Sequence, residues 1–312
     1  MVKPDLIIVG QVTIDDVVPA AAGAWRRQIG GSSLYALAGA RLWLDVSRIA
    51  LLARVGSDYP FDVERLLREV GLQHIALPSF AGEHLVEWLI YEPDGSRRSL
   101  PRNPGLLDVG AEGARAGSDL LPPYFERLLD IAPTAEQVPA EWLPAGALHL
   151  CPQVGNRHRD SLRLLRNRVP WISVDPSPHY SRELDISGLA RFLEGATAFL
   201  PSTQEVRPLL ERYDPAALAL ELQRAGIAEV VLKRATQPVV LACNDRVHNV
   251  PIVPTPVIDP TGAGDSFCGA YAACRLLGSE PVEAARRAAA SAALIVGCSG
   301  IEAALALSGP KL

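Results

Sequence analysis

The sequence predicts an α/β protein built on a doubly wound, mostly parallel sheet, with a small β-sheet lid. Three observations carry that prediction. Short apolar runs rich in β-branched residues recur between longer amphipathic stretches. Those runs lack polar alternation, the signature of strands covered on both faces. Two segments, about 12–29 and 83–102, break the rhythm with strand-like patterns of their own.

In chain order, the buried strands are expected in DLIIVG (5–10), SRIALLA (47–53), GALHLC (146–151), WISVD (171–175) and EVVLK (229–233). Helical patterns, with charge on one face and Leu or Ala on another, lie at Ser32–Leu44, Phe61–Val70, Arg157–Arg168 and Thr203–Tyr213. Strands alternating with helices imply crossover units and therefore a parallel sheet. EHLVEWLIY (83–91) followed by Pro93-Asp94-Gly95 and then Ser96–Leu100 predicts an antiparallel hairpin inserted in that domain. The segment Val12–Ile29 is poor in helical periodicity and is expected to add strands to the same small sheet, giving one domain over 1–312 with two lid segments. No repeat or low-complexity linker divides it.

Composition excludes several classes of function. The 312 residues are 48% hydrophobic and 21% charged, which is the globular range rather than the disordered one. The formal net charge of −5 is dispersed, so nucleic acid is a poor default partner. Five cysteines at 151, 243, 268, 274 and 298 form no CxxC pair, against both a disulfide framework and a zinc knuckle. A reducing, cytoplasmic setting is expected, with no signal peptide and no apolar run approaching the roughly 20 residues that span a bilayer. The six histidines have no metal-ligand spacing.

The stretch that carries chemistry is Ile258–Tyr271, IDPTGAGDSFCGAY, leading into a helix of small residues that ends near Gly278. Gly262, Ala263 and Gly264 have little or no side chain, so amides at the helix start can approach a phosphate at the positive end of the helix dipole. Asp265 is out of place in a simple phosphate cradle. A carboxylate there makes sense as the acceptor of a proton from a hydroxyl attacking the phosphoryl group. Taken alone, the GxGD string favours the plainer reading, an acid that caps a helix behind a tight turn.

DPTGAGD closely resembles the DTxGAGD signature of the ribokinase-like (PfkB) carbohydrate kinase family, and the resemblance extends over nearly the whole chain. Gly10 followed by Asp15 resembles the family's first strand and its substrate-binding acid. Gly30-Gly31 is similar to the paired glycines of the sugar pocket, and Arg54-Val55-Gly56-Ser57-Asp58 to the VGxD segment. Asp175-Pro176 resembles DPN, and Ser202–Glu205 falls where the family carries NxxE. Departures are visible too. Ser202 replaces Asn, and Arg234-Ala235-Thr236-Gln237-Pro238 lacks the usual nucleotide-contacting glycines, leaving Lys233 or Thr236 to face the phosphates. Tyr35 stands where ribokinases place an Asn against ribose.

The resemblance implies a Rossmann-like domain that binds ATP and Mg2+ and phosphorylates a hydroxymethyl group of a sugar or related polyol. Asp265 would be the general base, and the amides of Gly262, Ala263 and Gly264 would stabilise charge developing on the phosphoryl group. Asp15, Gly30, Gly31 and Tyr35 would line the substrate pocket, and Lys233, Thr236, Gly262 and Gly264 the nucleotide side. Glu205 would contribute to a water-held magnesium network. Asp259, with the turn Cys298-Ser299-Gly300, would correspond to a monovalent-cation (K+) loop, and a homodimer would pair through the lid.

Rivals are a nucleoside kinase of the same fold, with Trp25, Tyr35 or Trp88 stacking on a base, and a catalytically silent ligand-binding or regulatory protein. A nicotinamide-dependent dehydrogenase is disfavoured because Gly10-Gln11-Val12 begins no GxGxxG. Arg97, Arg98 and Arg102 are expected at a solvated rim or against a phosphorylated substrate.

Overall fold

The computed structural model describes residues 3–18, 26–91, 97–100 and 121–309. The strands are β1 (Leu6–Val9), β2 (Thr13–Val18), β3 (Arg26–Gly30), β4 (Ile49–Leu52), β5 (Val55–Gly56), β6 (His74–Ala76), β7 (Ser79–Phe80), β8 (Val86–Tyr91), β9 (Arg97–Leu100), β10 (Ala147–Leu150), β11 (Trp171–Val174), β12 (Ala198–Phe199), β13 (Glu229–Leu232), β14 (Val239–Cys243) and β15 (Arg246–Val250). Nine of them form the main sheet in the order β15-β14-β13-β12-β11-β10-β1-β4-β6. It is parallel from β13 to β6, and β14 and β15 close one edge antiparallel.

The absence of alternation in the strand sequences has a direct cause. In β1, Ile7 and Val9 enter one core cluster while Leu6 and Ile8 enter another on the opposite face. Helices therefore cover both faces, as the doubly wound reading requires. β15 escapes the sequence pattern because Val250 alone of its five residues is buried, whereas β14 (VVLAC) is an apolar run buried throughout. Cys243 pairs with Arg246 across Asn244 and Asp245, both in the left-handed region at φ 50° and 55°. Two such residues give the tight hairpin turn that suits strand twist.

The lid is a four-stranded sheet ordered β3-β2-β8-β9. β2–β3 and β8–β9 are antiparallel pairs, joined by parallel pairing of β2 with β8. Both expected lid segments thus contribute to one small sheet. The turn Pro93-Asp94-Gly95 and residues 19–25, 101 and 102 lie outside the described residues.

One expected helix is largely absent. Over Thr203–Tyr213 only Arg207–Leu210 is helical. Ser202 instead bridges to Lys233, the Thr203 amide donates to the Lys233 carbonyl at 3.0 Å, and the Glu205 carboxylate accepts the Ser202 amide. These bonds hold the chain in a turn, and Pro208 fits only a first helical turn.

Two helices position the chemistry. Ser32–Ala40 and Ala263–Leu276 cross so closely that a Cβ on Gly39 would lie 1.9 Å from the Ser266 carbonyl oxygen, and one on Gly269 1.9 Å from that of Ala36. No side chain fits at either point. The contact fixes the helix carrying Asp265 against the helix carrying Tyr35.

Candidate active site

Strand order reverses beside β1, which lies between β10 and β4. Crevices outside the carboxyl ends of parallel strands at such a reversal are where α/β sheets bind ligands. Asp175 directly follows β11 and Lys233 directly follows β13, so both stand at that edge.

Gly262 is the cap of the Ala263–Leu276 helix, at φ 75°. A Cβ there would meet the Tyr35 ring at 2.0 Å, so both the left-handed turn and the ring contact require glycine. The Ala263 amide donates to the Pro260 carbonyl at 3.4 Å, a long bond. Asp265, half-buried in the first helical turn, is close enough for its charge to act on Tyr35, Cys151 and Asp175.

The Tyr35 side chain is 2% exposed, and its hydroxyl has no hydrogen-bond partner among the described residues. Burial first, then the charges of Asp15, Asp259 and Asp265, push its ionisation well above the usual tyrosine range. It is therefore a neutral hydroxyl surrounded by acids. Asp15 lies over Gly30, where a Cβ would come within 1.9 Å of its carboxyl carbon. Thr13 donates its hydroxyl to Asp15 Oδ1 at 2.6 Å. Gly31 follows at φ 118°. The structure thus brings Asp15, Gly30, Tyr35, Gly262 and Asp265 into one neighbourhood through Tyr35.

A second cluster lies at the ends of β11 and β13. Lys233 Nζ donates to Asp175 Oδ2 at 2.7 Å and contacts Cys268 Sγ at 3.1 Å, while the Cys268 thiol donates to the same Asp175 oxygen at 3.2 Å. Burial pushes Asp175 up to about 7; Lys233 opposes that shift, and the Glu205 and Asp265 charges add to it. Burial alone would lower Lys233, but Asp175, Cys268 and Glu205 hold its ammonium above the ordinary range. With several acids around one lysine, the lysine stays charged and the excess negative charge falls on the acids. A Cβ on Gly264 would lie 3.5 Å from Lys233 Nζ, so the ammonium borders the glycine turn.

Glu205 is half-buried, with one oxygen committed to the Ser202 amide. Thr236 lies on the exposed β13–β14 turn, and no hydrogen bond of the cluster reaches it. In the same turn Ala235 keeps a left-handed backbone, φ 50°, where a glycine would be unstrained. Asp58 accepts the His84 amide at 2.8 Å and so anchors the approach to β8. Trp88 is buried in β8, and His149 is buried against Ser173 at 2.9 Å. Trp25 and Arg102, and the side chains of Arg97 and Arg98, lie outside the described residues. Among the described residues, no group of three or more His, Cys, Asp or Glu is arranged to hold a metal ion by itself.

Sequence reasoning missed the residues by which the lid grips this loop. The Tyr91 hydroxyl in β8 and the Thr261 hydroxyl bond at 2.6 Å, and Arg26 in β3 reaches both Asp259 and Ser299. Thr261 was visible inside the glycine motif; Arg26 and Tyr91 carry no local signal.

Residues 173–306 match the family described as pfkB family carbohydrate kinase. Over that stretch, the C-terminal part of the chain, the sequence is similar to the PfkB family. The chain is 24% identical over 284 residues to a cytidine kinase of Thermococcus kodakarensis, covering 86% of this chain and 87% of that one. It is 41% identical over 76 residues to a 2-dehydro-3-deoxygluconokinase of Escherichia coli K12, which is 23% of this chain and 25% of the relative. An E. coli protein described as a ribokinase II, solved in complex with ATP and Mg2+, has the same fold at TM-score 0.67 and 20% identity, over 96% of this chain and 94% of that one. The fold is ribokinase-like. No helix among the described residues is long and apolar enough to cross a membrane.

Proposed function

We propose that this chain is a PfkB-family kinase that transfers the γ-phosphoryl group of ATP to a hydroxymethyl group of a sugar or related polyol, with Asp265 as general base. The observation that carries the reading is the packing of Tyr35. Its ring covers Gly262 at the start of the Asp265 helix, and its unpartnered hydroxyl sits among Asp15, Asp259 and Asp265. A hydroxyl compound held by Asp15 over Gly30 thereby meets the carboxylate next to the phosphate-binding turn.

In this scheme Asp265 takes the proton of the attacking hydroxyl as its oxygen bonds to the γ-phosphorus, and the bond from that phosphorus to the β–γ bridging oxygen breaks. The turn Gly262–Gly264 and the Lys233 ammonium face the charge on the transferred group. Loss of a single such preorganised donor typically costs ~3–4 kcal/mol in the barrier. Asp175, Glu205 and Asp265 make an acidic wall of oxygen donors, in which burial first, then the Glu205 and Asp265 charges, push Asp175 up against the pull of Lys233. Such a wall suits Mg2+, which favours oxygen donors and water and would, when bound, neutralise phosphate charge. Glu205, through its second oxygen, would hold it by way of water.

A nucleoside acceptor is the second reading, supported by the cytidine kinase relative matched over most of the chain. An ATP-consumption screen over free sugars, sugar phosphates, inositols and nucleosides decides between them, with the new phosphate ester identified by 31P NMR. Acceptor-dependent ADP formation with a sugar or polyol is expected. A response to nucleosides alone favours the second reading, and no response to any acceptor contradicts both.

A further inference from the structure

The loop before the glycine turn ends in Asp259, which is 4% exposed. Its Oδ1 accepts the Thr261 amide at 3.0 Å. Its Oδ2 is buried and accepts no hydrogen bond among the described residues, yet a buried carboxylate without a counter-charge is costly. The resemblance seen in the sequence would place a monovalent metal ion here, between the Asp259 loop and the turn at Ser299. The residues present do not fit such an ion. The Arg26 guanidinium lies 3.5 Å from Asp259 Oδ2, and its other terminal nitrogen donates to the Ser299 hydroxyl.

Two further features close the same space. The Val296 carbonyl, which faces the loop, accepts the amides of both Ile258 and Asp259, at 2.8 and 3.1 Å. Gln28, two residues after Arg26 and so on the same face of β3, places its amide oxygen where a Cβ on Gly300 would come within 2.8 Å. Arg26 and Gln28 thus occupy the gap from the lid side.

We infer that Arg26 is a built-in cation for the Asp259 loop: its guanidinium stands where a monovalent metal ion would bind, and phosphoryl transfer by this chain needs no K+. The inference rests on the kinase reading for its rate measurement and on the Arg26 geometry for the rest. Arg26 is a positioning residue. It touches neither reacting atom and acts by holding the loop that leads into Gly262 and Asp265. It also ties that loop to the lid strand, so metal independence and lid seating are one contact.

The test compares turnover and melting midpoint in KCl and in tetramethylammonium chloride at equal ionic strength, for the wild type, Arg26→Met and Arg26→Lys. Wild-type turnover and melting are expected to be the same in both salts. Arg26→Met removes the charge and opens the gap, so without K+ its turnover should fall by up to about 10²-fold, the usual cost of a misplaced reacting group. K+ should restore much of that loss and raise the melting midpoint of this variant. Arg26→Lys keeps a cation in place and should stay indifferent to K+. Activation or stabilisation of the wild type by K+ overturns the inference, as does an Arg26→Met protein whose rate and melting both ignore K+. If the wild type phosphorylates no acceptor, the kinase reading fails separately, and the melting midpoints alone decide the inference by the same outcomes.

Discussion

Two polar regions border the crevice, and they are built on opposite principles. Around Lys233, charge is closed in on itself: the ammonium, the Asp175 carboxylate and the Cys268 thiol satisfy one another within 3.2 Å in a buried setting. Around Tyr35, polar atoms are left over: a buried hydroxyl without a partner, next to Asp15 seated over Gly30. A closed cluster serves the fold first, because removing one member strands the others. An open one is costly for the fold and makes sense where a ligand supplies the missing partner.

The largest expected effect that distinguishes them is on stability. Lys233→Met leaves Asp175 buried without its counter-ion, which typically costs ~3–5 kcal/mol, and denaturant melts should show a loss of that size. A loss under ~1 kcal/mol would mean that the cluster is not closed in the way its distances indicate. Asp15→Ala should instead act on binding. A hydrogen bond to a charged acceptor is worth ~1.5–3 kcal/mol, so KM for the acceptor should rise by roughly ten- to a hundredfold while KM for ATP stays constant. Equal loss for both substrates would move Asp15 from the pocket to the scaffold.

A pH series sharpens the closed side. Burial, then the charges of Lys233 and His158, pushes His149 down to about 3. The unfolded chain takes up a proton there near pH 6.5 while the folded chain does not. The stability His149 contributes is therefore complete above about pH 6.5 and is lost progressively as pH falls towards 3. Asp175, pushed up, works in the opposite sense: its contribution falls as pH rises from about 4 towards 7. Comparing His149→Gln with the wild type isolates the histidine. The wild type should lose ~2 kcal/mol more than the variant between about pH 7.5 and pH 5. Parallel pH profiles would show that the imidazole is not held neutral.

The smallest effect is on the open side. Tyr35→Phe removes an unsatisfied hydroxyl, so stability should hold or rise by up to ~1 kcal/mol, while KM for the acceptor rises. Clear destabilisation in the melt would reveal a partner for that hydroxyl and close the contrast.

Much of the fold was legible because the parallel strands are short, largely apolar runs without polar alternation, which burial on both faces explains. The glycine turn was legible because phosphate approach demands small residues in succession. Other features were not, for physical reasons. The helix expected from Thr203 gives way to a turn because the Glu205 carboxylate captures the Ser202 amide, a bond that periodicity does not encode. β15 has no apolar run because Val250 alone of its residues is buried. The Tyr91–Thr261 and Arg26–Asp259 contacts join lid and loop across most of the chain, where no local pattern reaches. Ala235, where the resemblance expects a glycine, has a left-handed φ of 50°, a backbone that residue type does not reveal.

The central claim is that Asp265 takes a proton during phosphoryl transfer rather than merely capping its helix. Asp265→Asn tests it directly, since Asn retains the size and a capping oxygen but not the carboxylate. Steady-state kinetics on the identified acceptor, run beside thermal melts, should show an unchanged melting midpoint, little change in KM for ATP, and turnover reduced by about 10²–10⁴-fold. A well-folded Asp265→Asn protein with near-normal kcat would contradict the assignment.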